Sequence, residues 1–558
     1  MLKKILFCNE ASYMATGYSN YGREILTRLY ANGKYEIAEM ATYWHYTDLR
    51  GQQMPWRVYS NAPNPQNQEE VSQFYGGFAN QFGGLRFDEV CLDFKPDVVI
   101  SWLDPWMFAH IAESPLRHLF SLVIMPTVDS APQQQGWLAM FNEADKIFTW
   151  SDWGAEILEK AGLQTLGANP AGVDLDVFKP VDSKEQHKAA FGIQPNVNIV
   201  GMVARNQKRK LFPDLFDAFR LFLDQNPELG KNTLLYLHTS FPDPSGWRLD
   251  QLLKEKSLSH KVLFTYICRK CGFTHPSFFA DARTRCLSCG ALEFGFVNTQ
   301  IAVPPNILAA IYNLMDVYVQ YAMAAGLEIP ALEAGACGIP VMETDYSAME
   351  SVVRHLEGTP LKVQRLFLEA ETEAYRAYPD NQYLADKLAE MLSKPASIRA
   401  NYGFKARQGV EKHYTWDKAA KKWEECFDSL PHGTWTSPPR LFQPQLQVPR
   451  DLTHEQFVSW ALIYILGKPE LINTYFALKL IKDLNWGSKI DGLGGYIFSD
   501  ESALGQQART QPFNWEICAN RLLEMREKIN YWEKRRIGAI TAQKPDYIVN
   551  VKPDINLN

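Results

Sequence analysis

Four cysteines carry the most specific chemical pattern in the chain. They form two Cys-x-x-Cys-Gly units, Cys268 with Cys271 and Cys286 with Cys289, separated by 14 residues. Two residues between thiolates allow both to reach one tetrahedral ion, and the glycine after each pair permits a tight turn. We therefore predict an inserted zinc ribbon over residues 266–292, with a structural Zn²⁺ held by all four thiolates. A redox pair or a chance arrangement is the alternative.

The predicted ribbon is locally basic, which leaves two functions open for it. Its charged residues are Arg269, Lys270, Asp281, Arg283 and Arg285. The ribbon can be a solvated element that braces a sheet. Alternatively, it can grip a polyanionic acceptor such as a nucleic acid through these cations.

A second group of residues suits a diphosphate. Arg205 and Lys210 follow the apolar run Ile199–Val203, which is typical of a buried strand. Open α/β sheets bind ligands at the carboxyl ends of their strands, where paired cations can neutralise phosphate. We predict that Arg205 and Lys210 do so. A solvated basic loop is the alternative.

A third segment adds a helix start and a carboxylate. A Gly/Pro-rich loop leads into a short helix predicted over Ala331–Cys337, whose N-terminal amides can hold phosphate. Glu333 on that helix can accept bidentate hydrogen bonds from ribose hydroxyls, or it is an ordinary acid in the first turn of a helix. Near the N-terminus, Gly17 allows the backbone to approach a ligand at the start of a helix.

The elements that must position these residues alternate along the first 350 residues. Short apolar runs rich in β-branched residues are separated by helical stretches, a pattern typical of βαβ units and parallel sheets. Two tandem sheets are expected, since one sheet of this width would be unusual. The runs predicted as strands are 4–8, 98–102, 122–125, 147–150, 199–203, 234–238, 262–266, 317–321 and 340–344.

Turn-forming residues mark the domain boundaries. They are concentrated between residues 169 and 187, and five prolines lie between residues 430 and 449. We therefore predict a Rossmann-like domain over residues 1–180, a second over residues 181–412, and a mostly helical extension over residues 450–540.

Composition excludes several protein classes. The 558 residues are 46% hydrophobic and 22% charged, with 15 Trp, 25 Tyr and 31 Phe, which excludes disorder as the main theme. The net charge of −6 is not that of a generally basic nucleic-acid-binding protein. No apolar run reaches about 18 residues, so no membrane span is expected. Nine cysteines, four of them in pairs, indicate a metal and a reducing compartment, and we expect a cytoplasmic protein.

Taken together, these segments resemble the GT-B glycosyltransferases, in particular the large retaining family 4. The match includes the glycine loop at Gly17, the Arg205 and Lys210 pair, and the stretch LEIPALEAGACGIPV, which is similar to the family's EGFGLPxLEAxAxGxPV. The segment NPAGVDLDVFKP, at the predicted junction of the two domains, is also similar to the family's pattern. The segment HYTWDKAAKKW resembles the terminal helix that returns to the first domain, here over residues 413–430. The resemblance covers about residues 1–430.

The resemblance implies a nucleotide-diphosphate sugar as donor and co-substrate. Arg205 and Lys210 would neutralise the diphosphate and stabilise it as a leaving group. The amides around Ala331 and Leu332 would hold the phosphates, and Glu333 would hold the ribose. No catalytic metal is expected, because cations and a helix dipole would serve the diphosphate.

The sequence departs from the family pattern at several positions near this site. Gly17 would make room for the donor, but Ala325 stands where the family has a Glu that contacts the donor sugar. Glu328, three positions later, is the candidate substitute. Ala171 replaces the His of the family's PHGVD, and the family's acceptor-side His has no clear match. Asp129, which follows a predicted strand, is the candidate for that acceptor-side role.

The resemblance therefore predicts a retaining glycosyltransferase that moves a sugar to an acceptor hydroxyl, by default on a glycan or surface precursor. One alternative is transfer to hydroxymethyl pyrimidines in DNA. The basic ribbon motivates it, as do the cations of the extension, Arg526, Lys528, Lys534, Arg535 and Arg536. A second alternative is a GT-B scaffold that binds nucleotide without catalysis. Replacing Lys210 or Glu333 by alanine is expected to reduce turnover and leave the fold intact.

Overall fold

The computed structural model describes residues 2–14, 16–45, 47–114, 116–279, 285–298, 301–435, 456 and 459–462. The predicted helical extension over residues 450–540, with its five cations, therefore lies outside the described residues apart from 456 and 459–462.

The strands of the described chain alternate with helices over most of its length. In chain order they are β1 (Lys3–Glu10), β2 (Tyr35–Thr42), β3 (Arg57–Ser60), β4 (Val98–Ser101), β5 (Ser121–Ile124), β6 (Lys146–Ile147), β7 (Asn198–Val203), β8 (Thr233–His238), β9 (Val262–Cys268), β10 (Thr274–Phe278), β11 (Phe294–Phe296), β12 (Val317–Gln320), β13 (Val341–Thr344), β14 (Thr359–Leu361), β15 (Val363–Glu369) and β16 (Ala374–Pro379).

The helices follow the same order. They are α1 (Gly17–Ala31), α2 (Leu49–Gln52), α3 (Gln68–Gly76), α4 (Phe87–Phe94), α5 (Ala109–Ala112), α6 (Gln135–Phe141), α7 (Asp152–Lys160), α8 (Lys184–Ala190), α9 (Phe212–Gln225), α10 (Pro227–Lys231), α11 (Leu249–Glu255), α12 (Pro305–Tyr312), α13 (Ile329–Ala336), α14 (Ala348–His355), α15 (Asn381–Leu392), α16 (Ala396–His413) and α17 (Trp416–Ser429). Short 3-10 turns lie at Ala79–Phe82, Pro105–Met107 and Arg117–Leu119.

The first sheet has six parallel strands in the order β3-β2-β1-β4-β5-β6. Ile5, Leu6 and Phe7 of β1 are fully buried, as expected for a central strand covered by helices on both faces. The strand order reverses between β1 and β4. The carboxyl ends of these two strands therefore flank the crevice in which open α/β sheets bind ligands.

The second sheet follows the order β10-β9-β8-β7-β12-β13-β14, with β11 also paired to β9. β10 and β11 are antiparallel to β9, and the other neighbours are parallel. The strand order reverses between β7 and β12, which places a second crevice at their carboxyl ends. Two tandem, mainly parallel sheets confirm the predicted α/β class.

The helix α17 returns to the first sheet after the chain has completed the second. Trp423 is fully buried there, and its indole Nε1 donates to the hydroxyl of Tyr21 at 2.9 Å. Lys3 Nζ donates to the carbonyl of Leu430 at 2.6 Å. A Cβ on Gly172 would lie 2.2 Å from the amide nitrogen of Trp416, so only glycine allows the start of α17 to pack this closely.

Candidate functional site

The loop after β7 carries the predicted cations, and Arg205 is paired with Asp243 in the loop that follows β8. Its Nε donates to Oδ2 of Asp243 at 2.9 Å, while 47% of the Arg205 side chain stays exposed. The Arg205 guanidinium, helped by hydrogen bonds from Ser245 and Ser240, lowers the pKa of the Asp243 carboxyl to about 2. Asp243 thus holds the guanidinium at the mouth of the crevice.

Lys210 lies deeper, in a buried ion pair. Its Nζ contacts Oε1 of Glu328, and both side chains are almost inaccessible to solvent. Burial and the neighbouring Arg209 lower the pKa of Lys210 to about 8, although Glu328 opposes this shift. Behind the pair, burial holds the pKa of Glu343 on β13 well above its usual range. Glu328 is therefore the counter-ion of Lys210 in this structure.

Arg209 is a functional candidate that sequence reasoning missed. Its Nη1 donates to the carbonyl of Ala324 at 3.1 Å and lies 3.7 Å from Oε1 of Glu328. The side chain is 45% exposed, and its charge opposes the rise that burial causes in the pKa of Asp104, which follows β4. Arg209 is thus a solvent-accessible cation between the two sheets. The consecutive cations Lys208, Arg209 and Lys210 were the signal for it in the sequence.

The helix α13 starts beside this ion pair, directly after Glu328. Ala331 and Leu332 are buried in its first turn. Glu333 is partly buried, and its Oε2 accepts a hydrogen bond from the hydroxyl of Tyr312 at 2.8 Å. Burial raises the pKa of Glu333 to about 7, although the hydrogen bond from Tyr312 opposes this shift. Among the described residues, Oε1 of Glu333 has no hydrogen-bond partner, so it can accept one from a ligand.

Gly17 places the start of α1 at the same site. It is the first residue of α1, and a Cβ built on it would lie 4.0 Å from Cδ1 of Ile329, the first residue of α13. The two helix N-termini therefore face each other across the crevice, and the amides at such ends favour anions.

Asp129, predicted on the acceptor side, is held in an ion pair with the hairpin β15–β16. Its Oδ2 lies 2.7 Å from Nη1 of Arg376 on β16. The amide of Tyr375 donates to the carbonyl of Ala131 at 2.8 Å, so the hairpin β15–β16 contacts the segment that follows β5. The structure therefore gives Asp129 a bridging contact.

Two carboxylates at the carboxyl edge of the first sheet lie at the crevice, and sequence reasoning missed both. Asp104 Oδ1 accepts from the hydroxyl of Tyr18 at 2.8 Å, and Glu10 accepts from the hydroxyl of Thr16. Burial raises the pKa of both carboxyls, and their hydroxyl partners oppose this shift. Neither residue belongs to a sequence motif. The one signal for them in the sequence is their position at or just after the ends of β1 and β4.

The four cysteines lie together at the carboxyl end of β9. The Sγ atoms of Cys268 and Cys289 are 3.6 Å apart, those of Cys271 and Cys286 are 3.7 Å apart, and all four lie within 4.8 Å of one another. Tetrahedral zinc with Zn–S bonds of about 2.3 Å requires Sγ separations of about 3.8 Å. The arrangement therefore fits a Cys₄ zinc site.

The backbone around the cysteines supports the same geometry. The amide of Gly272 donates to Cys268 O at 2.8 Å, and the amide of Gly290 donates to Cys286 O at 2.9 Å. Both glycines have φ near +70°, a conformation that other residues rarely adopt. Each Cys-x-x-Cys-Gly unit thus forms the same tight turn, and the two turns face each other.

Comparisons with known proteins find glycosyltransferases that are similar to this chain. No family model matches the chain. It is similar to the D-inositol 3-phosphate glycosyltransferase of Corynebacterium urealyticum, with 23% identity over 262 residues that cover 47% of this chain and 50% of that protein. The chain thus spans about half the length of the curated relative that it matches.

Solved structures match over more of the chain. Sucrose-phosphate synthase from Thermosynechococcus elongatus has a TM-score of 0.54 and 16% identity, covering 76% of this chain and 98% of that chain. HepE from Anabaena, in complex with UDP and glucose, has a TM-score of 0.53 and 17% identity. The match covers 77% of this chain and 100% of that chain. These likenesses establish the fold, which is that of the GT-B glycosyltransferases. No helix among the described residues is long and apolar enough to cross a membrane.

Proposed function

We propose that the protein is a retaining glycosyltransferase that transfers a sugar from a nucleoside-diphosphate sugar to an acceptor hydroxyl. One observation carries the proposal: the cations after β7 lie beside the N-terminus of α13, directly opposite the N-terminus of α1. A diphosphate between these groups would meet two helix ends and an accessible guanidinium. The complex of HepE with UDP and glucose and the curated relative's name support this assignment.

Each predicted donor residue receives a role from its position. Arg209 and Arg205 would bind the diphosphate from the open side of the crevice. Lys210, fixed by Glu328, would supply a buried positive charge near the leaving oxygen. The amides of Ala331 and Leu332 would face the phosphates. Glu333 would hold the ribose, and Gly17 would leave room for the donor.

The chemical step follows from this distribution of charge. The bond from the sugar C1 to the phosphate oxygen breaks, and negative charge that accumulates on the diphosphate is opposed by Arg205, Arg209 and Lys210. The acceptor oxygen bonds to C1 on the same face, and its proton passes to the departing phosphate oxygen. Because the leaving group takes the proton, neither Asp129 nor Glu328 needs to act as a base. Glu328 would instead hold Lys210 in place.

Binding of UDP to the purified protein tests the donor site. We expect Arg209→Ala to weaken UDP binding by about 10- to 100-fold in isothermal titration calorimetry, because a hydrogen bond to a charged group contributes about 1.5–3 kcal/mol. Arg220→Ala is the matched control, since Arg220 on α9 pairs only locally with Asp224. If the wild type neither binds UDP, GDP or ADP nor hydrolyses any of their sugars, the proposed function is wrong.

The pH dependence of UDP binding tests the role of Glu333. Its raised pKa means that the proton is bound at pH 6 and mostly lost at pH 8, and the ribose bond requires the carboxylate. We expect UDP to bind roughly tenfold more tightly at pH 8 than at pH 6. The titration of UDP itself is removed by comparison with Glu333→Gln, whose affinity should lack this component. An identical pH profile in both proteins would contradict the assignment.

We also propose that the four cysteines hold a structural zinc ion. The ion would join the turn that follows β9 to the segment that precedes β11, and so would complete an edge of the second sheet. With four thiolate ligands it has no open position for a substrate. Thiolates of this kind persist in a reducing compartment, which supports the cytoplasm as the location.

A further inference from the structure

Charge is segregated between the two halves of the crevice. The second domain contributes Arg205, Arg209 and Lys210. In the first domain, the segments that follow the six strands contain neither lysine nor arginine: residues 11–16, 43–48, 61–67, 102–108, 125–134 and 148–151. The nearest arginine after them, Arg50 on α2, is bound by Asp48. A phosphate group on the acceptor would therefore find no free cation in these segments.

The same edge of the first sheet presents exposed aromatic rings. Tyr43, directly after β2, is 45% exposed, and Trp106, after β4, is 43% exposed. The ring of Trp106 lies 6.0 Å from that of the partly buried Trp137 on α6, at an angle of 45°. Tyr43 lies 6.2 Å from Phe82, which in turn packs against the exposed ring of Phe78. We call Tyr43, Phe78, Trp106 and Trp137 the aromatic rim.

The aromatic rim is continuous with the donor site. Burial raises the pKa of Tyr43, and the nearby carboxylates of Glu10 and Asp104 raise it further. The charge of Arg209, across the crevice, lowers the pKa of Asp104 and so opposes the effect of burial. Trp106 is two residues from Asp104 in the chain. An acceptor on the rim can therefore place a hydroxyl beside Asp104, where the sugar would be transferred.

Resting on the proposed function, we propose that the aromatic rim binds an uncharged, hydroxyl-rich glycan as acceptor. The C–H face of a sugar carries partial positive charge and packs on the negative face of an aromatic ring. Its hydroxyls can donate to the carboxylates of Glu10 and Asp104. A phosphorylated acceptor or a DNA backbone would instead meet these carboxylates as like charges, which costs binding energy.

A competition between acceptors tests this inference. The wild type is given the nucleotide sugar that it hydrolyses fastest, together with acceptors of three classes. The neutral acceptors are methyl α-glucoside and maltotriose, and the phosphorylated acceptors are glucose 6-phosphate and inositol phosphate. The third class is an oligonucleotide that contains hydroxymethylcytosine. Mass spectrometry then measures the sugar transferred to each. We expect transfer to the neutral sugars to exceed transfer to the charged acceptors by at least about tenfold. Preference for a phosphorylated acceptor or for the oligonucleotide, or transfer to none, overturns the inference.

Variants of the rim separate this inference from the proposed function. We expect Trp106→Ala to raise the KM for the neutral acceptor by about tenfold or more, while Trp106→Phe retains most of the affinity and UDP binds both variants as it binds the wild type. Tyr30→Ala, which removes an exposed ring at the opposite edge of the first sheet, is the control. An unchanged KM in Trp106→Ala with normal UDP binding refutes the rim alone. A wild type that binds none of UDP, GDP and ADP and hydrolyses none of their sugars refutes the proposed function.

Discussion

Replacing Lys210 by methionine is expected to remove nearly all sugar transfer and also to destabilise the fold. The substitution leaves Glu328 buried without its counter-ion, and breaking a buried ion pair costs about 3–5 kcal/mol. The sequence alone predicts an intact fold for Lys210→Ala. The buried pair changes that expectation. The denaturation midpoint and the rate of donor turnover measure the two effects separately.

The double variant Lys210→Met with Glu328→Gln distinguishes structural loss from chemical loss. Since the second substitution removes the unpaired charge, we expect the denaturation midpoint to recover most of the difference. Turnover should stay low, because the positive charge opposite the diphosphate is still missing. Recovery of turnover in the double variant would show that Lys210 acts only through the fold, and would contradict the proposed role.

Replacing Cys289 by serine is expected to abolish zinc binding. Cys289 is exposed, so the substitution removes a ligand with little loss of packing. Elemental analysis of protein purified under reducing conditions should find about one zinc per wild-type chain and close to none in Cys289→Ser. Because the free energy of metal binding contributes to the free energy of folding, the thermal midpoint of Cys289→Ser should lie below that of the wild type. Proteolysis of this variant should cut near residues 268–292.

The matched control is Cys426→Ala, which removes a buried cysteine of α17 far from the cluster. It should retain zinc. UDP affinity in Cys289→Ser should change by less than about threefold, since β8 separates β9 from the donor loop after β7. Wild-type protein that contains no zinc, or holds a disulfide among these cysteines, would contradict the proposed metal site.

The interior of the first sheet shows why part of the fold is not readable from the sequence. The strand β2 was not among the predicted strands. Its buried Glu39 interrupts the apolar run, and this carboxylate is accommodated because Ser12 and the indole of Trp56 donate hydrogen bonds to it. Ser12 follows β1 and Trp56 precedes β3, so no pattern within residues 35–42 predicts the strand. In contrast, the apolar cores of β1 and β7 are continuous runs that periodicity detects.

The candidate site divides in the same way. The cysteine spacing, the loop after β7 and the start of α13 are local features, because each depends on a few consecutive residues and on strand or helix ends. The partners of these residues are not local: Asp243 holds Arg205, Glu328 neutralises Lys210 and Arg376 holds Asp129. In each pair the residues are at least 38 positions apart.

By itself, the amino-acid sequence determined which chemistry is present: four thiolates with the spacing for one ion, cations after a strand, and an acid on a short helix. Only the tertiary structure decided which charges remain available. Burial and long-range pairing leave Arg209 accessible between the sheets, turn Glu328 into a counter-ion and collect the aromatic rim beside Asp104. The physical reason is that spacing along the chain sets local geometry, whereas the electrostatic state of a side chain depends on solvent exposure and neighbours that distant segments provide.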